Sequence, residues 1–135
     1  MSDMKQFTVE QANATLPLVR RIVEDIVAQH RVWHEKLLEI DLVAASGRAS
    51  DAELGERLAR EAQAIAREIE TFRRELITLG ILLKDARLGL IDFASTMGDR
   101  PILLCWRLGE PEVQFWHEAD AGFAGRQPLV PESVG

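Results

Sequence analysis

The sequence has one cysteine, an acidic charge balance and only short apolar runs, and each of these shortages removes a class of protein. A single cysteine, Cys105, cannot form an intramolecular disulfide, so we expect a reducing, cytoplasmic setting. The longest unbroken apolar stretches, such as residues 102–106, are too short to span a bilayer. The polar start, residues 1–6, has no apolar core, so we expect no signal peptide there.

Basic residues are outnumbered and evenly spread along the chain. Lysine and arginine total 16 against 22 aspartates and glutamates, which gives a net charge of −6. Without a basic stripe or tail, the chain lacks the electrostatic signature of a protein that binds nucleic acid or an anionic membrane. Hydrophobic residues make up 47% of the 135 residues, which excludes a disordered chain and predicts one folded domain, residues 1–135.

A continuous apolar seam predicts a long first helix from Val9 to about Ala45. Its members recur in alternating steps of three and four, as in a coiled coil, and Thr8 with Gln11 forms a capping box at the start. Pro17 lies inside this helix, and because the seam keeps its phase there, we expect a kink rather than a break. The seam consists of Val9, Ala12, Leu16, Val19, Val23, Ile26, His30, Trp33, Leu37, Ile40 and Ala44.

A second helical seam follows a predicted turn at residues 46–50. Ser50 with Glu53 forms a capping box, and Gly80 ends the helix. The short connection predicts an antiparallel helical hairpin over residues 8–80, with one apolar stripe per helix, and we expect a second copy of the chain to cover it. The second seam consists of Leu54, Leu58, Ala62, Ile65, Ile69, Phe72, Leu76 and Leu79.

The period shortens after Gly80, and residues 81–128 read as a small antiparallel β-module with a C-terminal tail. Strands are predicted at 81–84 and 89–93, followed by a hairpin of 101–107 and 112–117 around the turn 108–111. Pairing Arg107 with Glu112 places Cys105 opposite Gln114, which sends His117 to the other face of the sheet, toward the helices. Residues 122–128 read as irregular. The predicted fold class is therefore α+β, a coiled-coil-like hairpin followed by the β-module.

Seven short motifs along the chain carry a resemblance to a known family. They are 7–13 (FTVEQAN), 16–19 (LPLV), 83–85 (LKD), 89–93 (GLIDF), 104–111 (LCWRLGEP), 116–118 (WHE) and 122–126 (GFAGR). Nearly end to end, the chain resembles a bacterial domain-of-unknown-function family, the one catalogued as number 2203. The resemblance implies no activity, and His30 and His34 fall outside the family pattern.

Polar and aromatic residues crowd the C-terminal third, where they form a candidate ligand site. Two arginines can grip a carboxylate or a phosphate, while a tryptophan stacks on a flat ligand. The candidate ligand-binding residues are Arg107, Glu110, Trp116, His117 and Arg126. Oxygen and nitrogen donors in the same region suit a divalent metal instead, and these are Asp92, Glu110, His117 and Asp120. The structural alternative is equally concrete: Arg107 pairs with Glu112 across the strands, and Arg126 ties down the tail.

Two other candidates have weaker support. His30 and His34 are four residues apart on one helix, a metal-binding spacing, but we interpret His30 as a polar seam residue. Cys105 lies mid-strand, and a Cys–His nucleophile pair with His117 would require a different strand register. We therefore interpret Cys105 as a buried structural cysteine. Because the sequence has neither a nucleophile elbow nor a phosphate loop, it favours a protein that is not an enzyme.

These observations leave two hypotheses for function. The first is a homodimeric structural or interaction protein, assembled through the helical seam, with another protein as a further partner. The second is a small-ligand or metal-binding protein, or an enzyme, with its site around Glu110, His117 and Arg126. The second hypothesis predicts a concave site where these three residues converge without other partners to compensate them.

Overall fold

The structure is a computed structural model that describes residues 5–129, and its two long helices precede a five-stranded antiparallel sheet. Helix α1 spans Val9–Ser46 and helix α2 spans Ala52–Thr78. The sheet has the simple order β1-β2-β3-β4-β5, so every strand pairs with its neighbours in sequence. The strands are β1 Ile81–Asp85, β2 Leu90–Met97, β3 Arg100–Arg107, β4 Phe115–His117 and β5 Gln127–Pro128. This arrangement confirms the predicted α+β fold with a helical hairpin and a small β-module.

Helix α1 begins at the predicted capping box. The Thr8 hydroxyl accepts a hydrogen bond from the backbone N–H of Gln11 at 3.0 Å, and the Gln11 side chain accepts one from the Thr8 N–H at 2.9 Å. Two of the N–H groups that the first turn leaves without partners are thereby satisfied. The helix continues through Pro17 as one element of 38 residues and ends at Gly47, which is left-handed with φ 66°.

The start of α2 differs from the prediction. A single 3₁₀ turn, Ala49–Asp51, precedes the helix, so Ser50 lies within that turn rather than at the N-cap, and the Ser50–Glu53 capping box is wrong. The connection between the helices is stabilised by a different hydrogen bond, which the Ser46 hydroxyl donates to the Asp51 carboxylate at 2.8 Å. Ser46 is the last residue of α1, so this bond ties the end of one helix to the start of the next.

The hydrophobic core lies between the helices and one face of the sheet. The first half of the α1 seam, from Ala12 to Ile26, is buried there together with Leu76 of α2. The sheet contributes an inner face that packs on these helices: Ile81, Ile91, Phe93, Ile102, Leu104, Trp106 and Trp116. Farther along α1 the seam is only half-buried, at His30, Trp33, Leu37 and Ile40.

The register between β3 and β4 is shifted by one residue from the predicted one. Cys105 pairs with Phe115 and Leu103 pairs with His117, whereas the hairpin rule predicted Gln114 and Trp116 as their partners. The reason is tertiary. The backbone N–H of Val113 donates to the Asn13 side chain of α1 at 2.6 Å, so this residue binds the helix instead of extending β4.

The connection between these strands is consequently longer than the predicted four-residue turn. The Glu110 carboxylate accepts a hydrogen bond from the backbone N–H of Arg107 at 2.8 Å. The backbone carbonyl oxygen of Glu110 accepts one from the Trp106 indole at 3.0 Å. These bonds take the place of the expected Arg107–Glu112 pair. The tail also differs from the prediction: Gln127–Pro128 forms a short strand whose residues pair with Trp116 and Phe115, so 122–128 is not wholly irregular.

Candidate metal centre

Three donor side chains, Asp92, Cys105 and His117, meet on the outer face of the sheet, away from the helices. Asp92 of β2 is the cross-strand partner of Cys105 of β3. Leu103, two residues before Cys105, is the partner of His117 of β4. Because alternate residues of a strand share a face, these pairings place all three side chains on one side. We call this group the donor cluster.

The donor cluster is tight and buried. One ligand atom from each residue lies within 4.8 Å of the other two, and no second group of three such donors meets this criterion among the described residues. Asp92, Cys105 and His117 are exposed by only 1%, 0% and 2%. His117 Nε2 lies 3.1 Å from both carboxylate oxygens of Asp92. Buried ionisable groups at this density call for a counter-charge or a shared proton.

The tautomer of His117 follows from its second nitrogen. Nδ1 lies 2.7 Å from the carbonyl oxygen of Glu118, which can only accept, so Nδ1 carries the proton and donates it. Nε2 faces the Asp92 carboxylate, which also accepts, so a shared proton or a metal ion has to lie between these two groups. A histidine that binds a metal through one nitrogen usually donates the other N–H to a carbonyl or carboxylate, as His117 does.

The environment of Cys105 opposes a free thiolate. Burial and, after it, the negative charge of Asp92 together raise the pKa of the Cys105 thiol from its ordinary value of 9.0 to about 12. Without a cation the group is a protonated thiol at neutral pH, which is a poor nucleophile. A coordinated divalent ion reverses this balance, because a thiol that binds a metal loses its proton.

The donor set fits a transition-metal ion of the Zn²⁺ type. Thiolate and imidazole are the preferred ligands of such ions, and catalytic zinc sites commonly combine three protein ligands with one open position. Ligand atoms in a tetrahedral zinc shell lie roughly 3.3–3.6 Å from one another. The separation of Nε2 from the Asp92 oxygens, 3.1 Å, is close to that spacing.

Two further predicted residues, Glu110 and Arg126, cover part of the outer face. They form an ion pair at 2.9 Å, with side chains exposed by 19% and 14%. The guanidinium carbon of Arg126 lies 3.9 Å from the centre of the Phe115 ring and 4.8 Å from that of Phe123. Both charges act on the Cys105 thiol: Arg126 lowers the pKa of this group and Glu110 raises it. Phe115, which Arg126 covers, is the cross-strand partner of Cys105, so the pair lies beside the donor cluster.

The other predicted site residues lie apart from this cluster. Arg107 is exposed at the end of β3, Asp120 is exposed in the turn after β4, and Trp116 belongs to the inner face. Glu110 and Arg126 do converge, but each is the other's partner, contrary to the expectation of uncompensated groups. His30 and His34 lie on α1, which packs on the opposite face of the sheet from His117.

Cys105 is the donor that sequence reasoning left out, because the predicted register turned it away from His117. A usable signal was present in β2. Asp92 lies in a run of six buried residues, Leu90 to Ser95, so it is a carboxylate in a strand covered on both faces. A charge at such a position needs a partner on an adjacent strand. The strands that flank Asp92 offer Cys105 at the paired position.

The fold and the donor cluster define a helical-hairpin protein whose sheet carries a Cys/His/Asp group. The chain belongs to the family described as "Uncharacterized conserved protein (DUF2203)", whose model matches residues 5–129. No curated protein and no solved structure gives a significant match to the chain. Within residues 5–129, neither helix combines the length and the apolar composition that crossing a membrane requires.

Proposed function

We propose that this protein binds one divalent transition-metal ion of the Zn²⁺ type through Asp92, Cys105 and His117. The observation that carries the proposal is the convergence of three different metal-type donors, all buried, within 4.8 Å of one another. Asp92 and His117 belong to the metal set predicted from sequence. Cys105 replaces Glu110, which is held by Arg126, and Asp120, which is exposed.

Charge supports the same conclusion. A divalent ion bound by a carboxylate, a thiolate and a neutral imidazole forms a centre with no net charge, which suits a buried site. The His117 Nδ1–H bond to Glu118 orients the ring so that Nε2 is available as a ligand. We place the protein in the cytoplasm of a bacterium, where a reducing milieu keeps the sulfur of Cys105 reduced and able to bind a metal. The proposal covers binding and does not extend to catalysis.

Titration with Co²⁺, a spectroscopic substitute for Zn²⁺, tests the proposal. We expect one equivalent to produce a thiolate-to-cobalt charge-transfer band, which Zn²⁺ in excess removes. Cys105→Ser and His117→Gln should abolish the band. His34→Gln, at an exposed histidine of α1, is the matched control and should leave it unchanged.

A second measurement covers variants that fail to fold. A ligand that binds only the folded state stabilises it by about 2.7 kcal/mol at a hundredfold excess over Kd. Zn²⁺ should therefore raise the thermal midpoint of the parent protein and of His34→Gln, but not that of folded Cys105→Ser. A parent protein that shows neither the cobalt band nor stabilisation by Zn²⁺ would refute the proposal.

Self-association through the far half of the hairpin is the second candidate. In α1 beyond Ile26 the seam is half-buried, and two leucines are exposed, Leu38 by 51% and Leu42 by 73%. The near half of the seam already lies in the core of one chain, so only the far half is left to form a dimer. A two-helix layer buries one stripe per helix, and a second copy supplies the missing layer.

Sedimentation equilibrium at micromolar concentration tests this candidate. The parent protein should sediment as a dimer, and Leu38→Glu with Leu42→Glu should convert it to a monomer. Leu18→Glu is the matched control, because Leu18 is 56% exposed but lies in the part of α1 nearest the sheet. A parent protein that is already monomeric, or a control that dissociates equally, would rule out the far half of the hairpin as the interface.

A further inference from the structure

Arg126 has one N–H group without a partner. Its terminal nitrogen donates to Glu110 at 2.9 Å, but its Nε is buried and finds no acceptor among residues 5–129. A buried donor left without an acceptor costs about 1–3 kcal/mol, so a native structure usually supplies one. The missing acceptor at this position is therefore a group outside residues 5–129.

The surroundings of Arg126 define what that acceptor can be. The rings of Phe115 and Phe123 lie near the guanidinium, with their centres 3.9 and 4.8 Å from its central carbon. Because the N–H bonds of a guanidinium lie in its plane, the acceptor must approach the edge of the group. Planar oxyanions meet arginine in this way, through coplanar N–H···O bonds.

The donor cluster supplies the other half of the site. Three protein ligands leave one position on a four-coordinate ion for an exogenous ligand. Arg126 lies over the ring of Phe115, with its central carbon 3.9 Å from the ring centre, and Phe115 is the cross-strand partner of Cys105, which places the guanidinium beside the same centre. Glu110 is held by both Arg126 and the Arg107 N–H, so the carboxylate fixes the position of the guanidinium.

We infer that the metal ion at the donor cluster binds a small planar carboxylate as its exogenous ligand, with the Nε–H of Arg126 as the second anchor. One carboxylate oxygen occupies the open position of the ion, and the other accepts from Arg126. Arg126 is thus a positioning residue for the ligand rather than a ligand of the metal. This inference rests on the metal site proposed above.

Acetate added to the Co²⁺-loaded protein is the test, with the visible absorption of Co²⁺ as the readout. We expect a saturable spectral change with the parent protein. Arg126→Gln, which removes the charge and Nε–H, should weaken acetate binding by about tenfold or more, while Co²⁺ affinity stays nearly the same. Arg107→Gln is the matched control, because this arginine is exposed at the end of β3, and it should behave as the parent does.

Glu110→Gln provides a variant with the opposite expected effect. The amide oxygen can still accept from Arg126, but the negative charge beside the centre is lost, so acetate should bind more tightly. This variant keeps the inference testable if Arg126→Gln does not fold.

The outcomes separate the two proposals. A protein without a cobalt spectrum refutes the metal site itself. A cobalt spectrum that acetate does not change, or that responds only to inorganic phosphate, refutes the planar carboxylate and leaves the metal site intact. An equal acetate response in Arg126→Gln and the parent protein refutes the role of Arg126.

Discussion

Cys105 and His117 lie on the same face of the sheet because the cross-strand partner of His117 is Leu103, two residues before Cys105. A register one residue away would place the two side chains on opposite faces. With Asp92 paired to Cys105, this register assembles the donor cluster from three strands. The contacts that set the register are therefore as important to the site as the donors themselves.

Asn13 is expected to stabilise that register from α1. Its side-chain oxygen accepts from the Val113 N–H at 2.6 Å, and Val113 is 2% exposed. Asn13→Ala leaves this buried donor without a partner and should lower the free energy of unfolding by about 1–3 kcal/mol in urea denaturation. Asn13→Asp retains an acceptor oxygen and should recover most of the loss. If Asn13→Ala and Asn13→Asp lower the free energy of unfolding equally, the loss of the hydrogen bond to Val113 is not the cause of the destabilisation.

Gly89 is expected to tolerate no side chain. Its φ is 68°, and an added Cβ would come within 2.8 Å of Leu108 Cβ and 2.9 Å of Val23 Cγ1. Gly98 has nearly the same φ, 66°, with nothing within 4 Å of such a Cβ. Both Gly89→Ala and Gly98→Ala place a side chain on left-handed backbone, which destabilises each variant to a similar extent. Gly89→Ala should lower the free energy of unfolding by about 1–3 kcal/mol more than Gly98→Ala, as measured by urea denaturation. Equal losses would mean that the close packing of Gly89 against Leu108 and Val23 is not rigid.

Cys105 should make the metal-free protein less stable at alkaline pH. Burial raises the pKa of this thiol from 9.0 to about 12, with Asp92 as the next cause. Since the folded state keeps the proton to higher pH, the contribution of Cys105 to stability is complete below pH 9.0 and is lost as pH rises toward 12.

The comparison of the parent protein with Cys105→Ala measures this effect. In the presence of a chelator, the advantage of the parent protein in free energy of unfolding should be smaller at about pH 10.5 than at about pH 8. The loss of packing in the variant is the same at both pH values, so it cancels. An advantage that is constant or grows with pH would contradict the raised pKa.

Leu76 and Ile77 provide a matched test of the core. They are neighbours on α2, yet Leu76 is 0% exposed and Ile77 is 45% exposed. Leu76→Ala should lower the free energy of unfolding by about 2–5 kcal/mol, because it removes buried methyl groups and leaves a cavity. Ile77→Ala should cost far less, since its side chain is already in water. Thermal and urea denaturation measure both, and similar losses would contradict the assigned inner face of α2.

Local pattern was sufficient to predict the helices, because their signals lie within a few residues of one another. The seam of α1 repeats over about ten turns, Thr8 and Gln11 form their cap within one turn, and Gly47 follows the last residue of the helix. The strands 81–84 and 89–93 were likewise predicted near the observed β1 and β2. Periodicity predicts these elements without reference to the rest of the chain, and capping in addition marks the start of α1.

The donor cluster depended on contacts that sequence separation hides. Asn13 and Val113 are far apart in the chain, yet a hydrogen bond joins them and holds Val113 outside β4. The pairing of β4 with β3 is shifted by one residue from the predicted register. Because the side chains of a strand alternate between faces, that single step moves His117 from the helix side to the side of Cys105 and Asp92. Local pattern is enough to predict the two helices, the strands β1 to β3 and the residue types that can bind a metal. The strand β5 and the meeting of the three donors depend on contacts between distant parts of the chain, which no local pattern records.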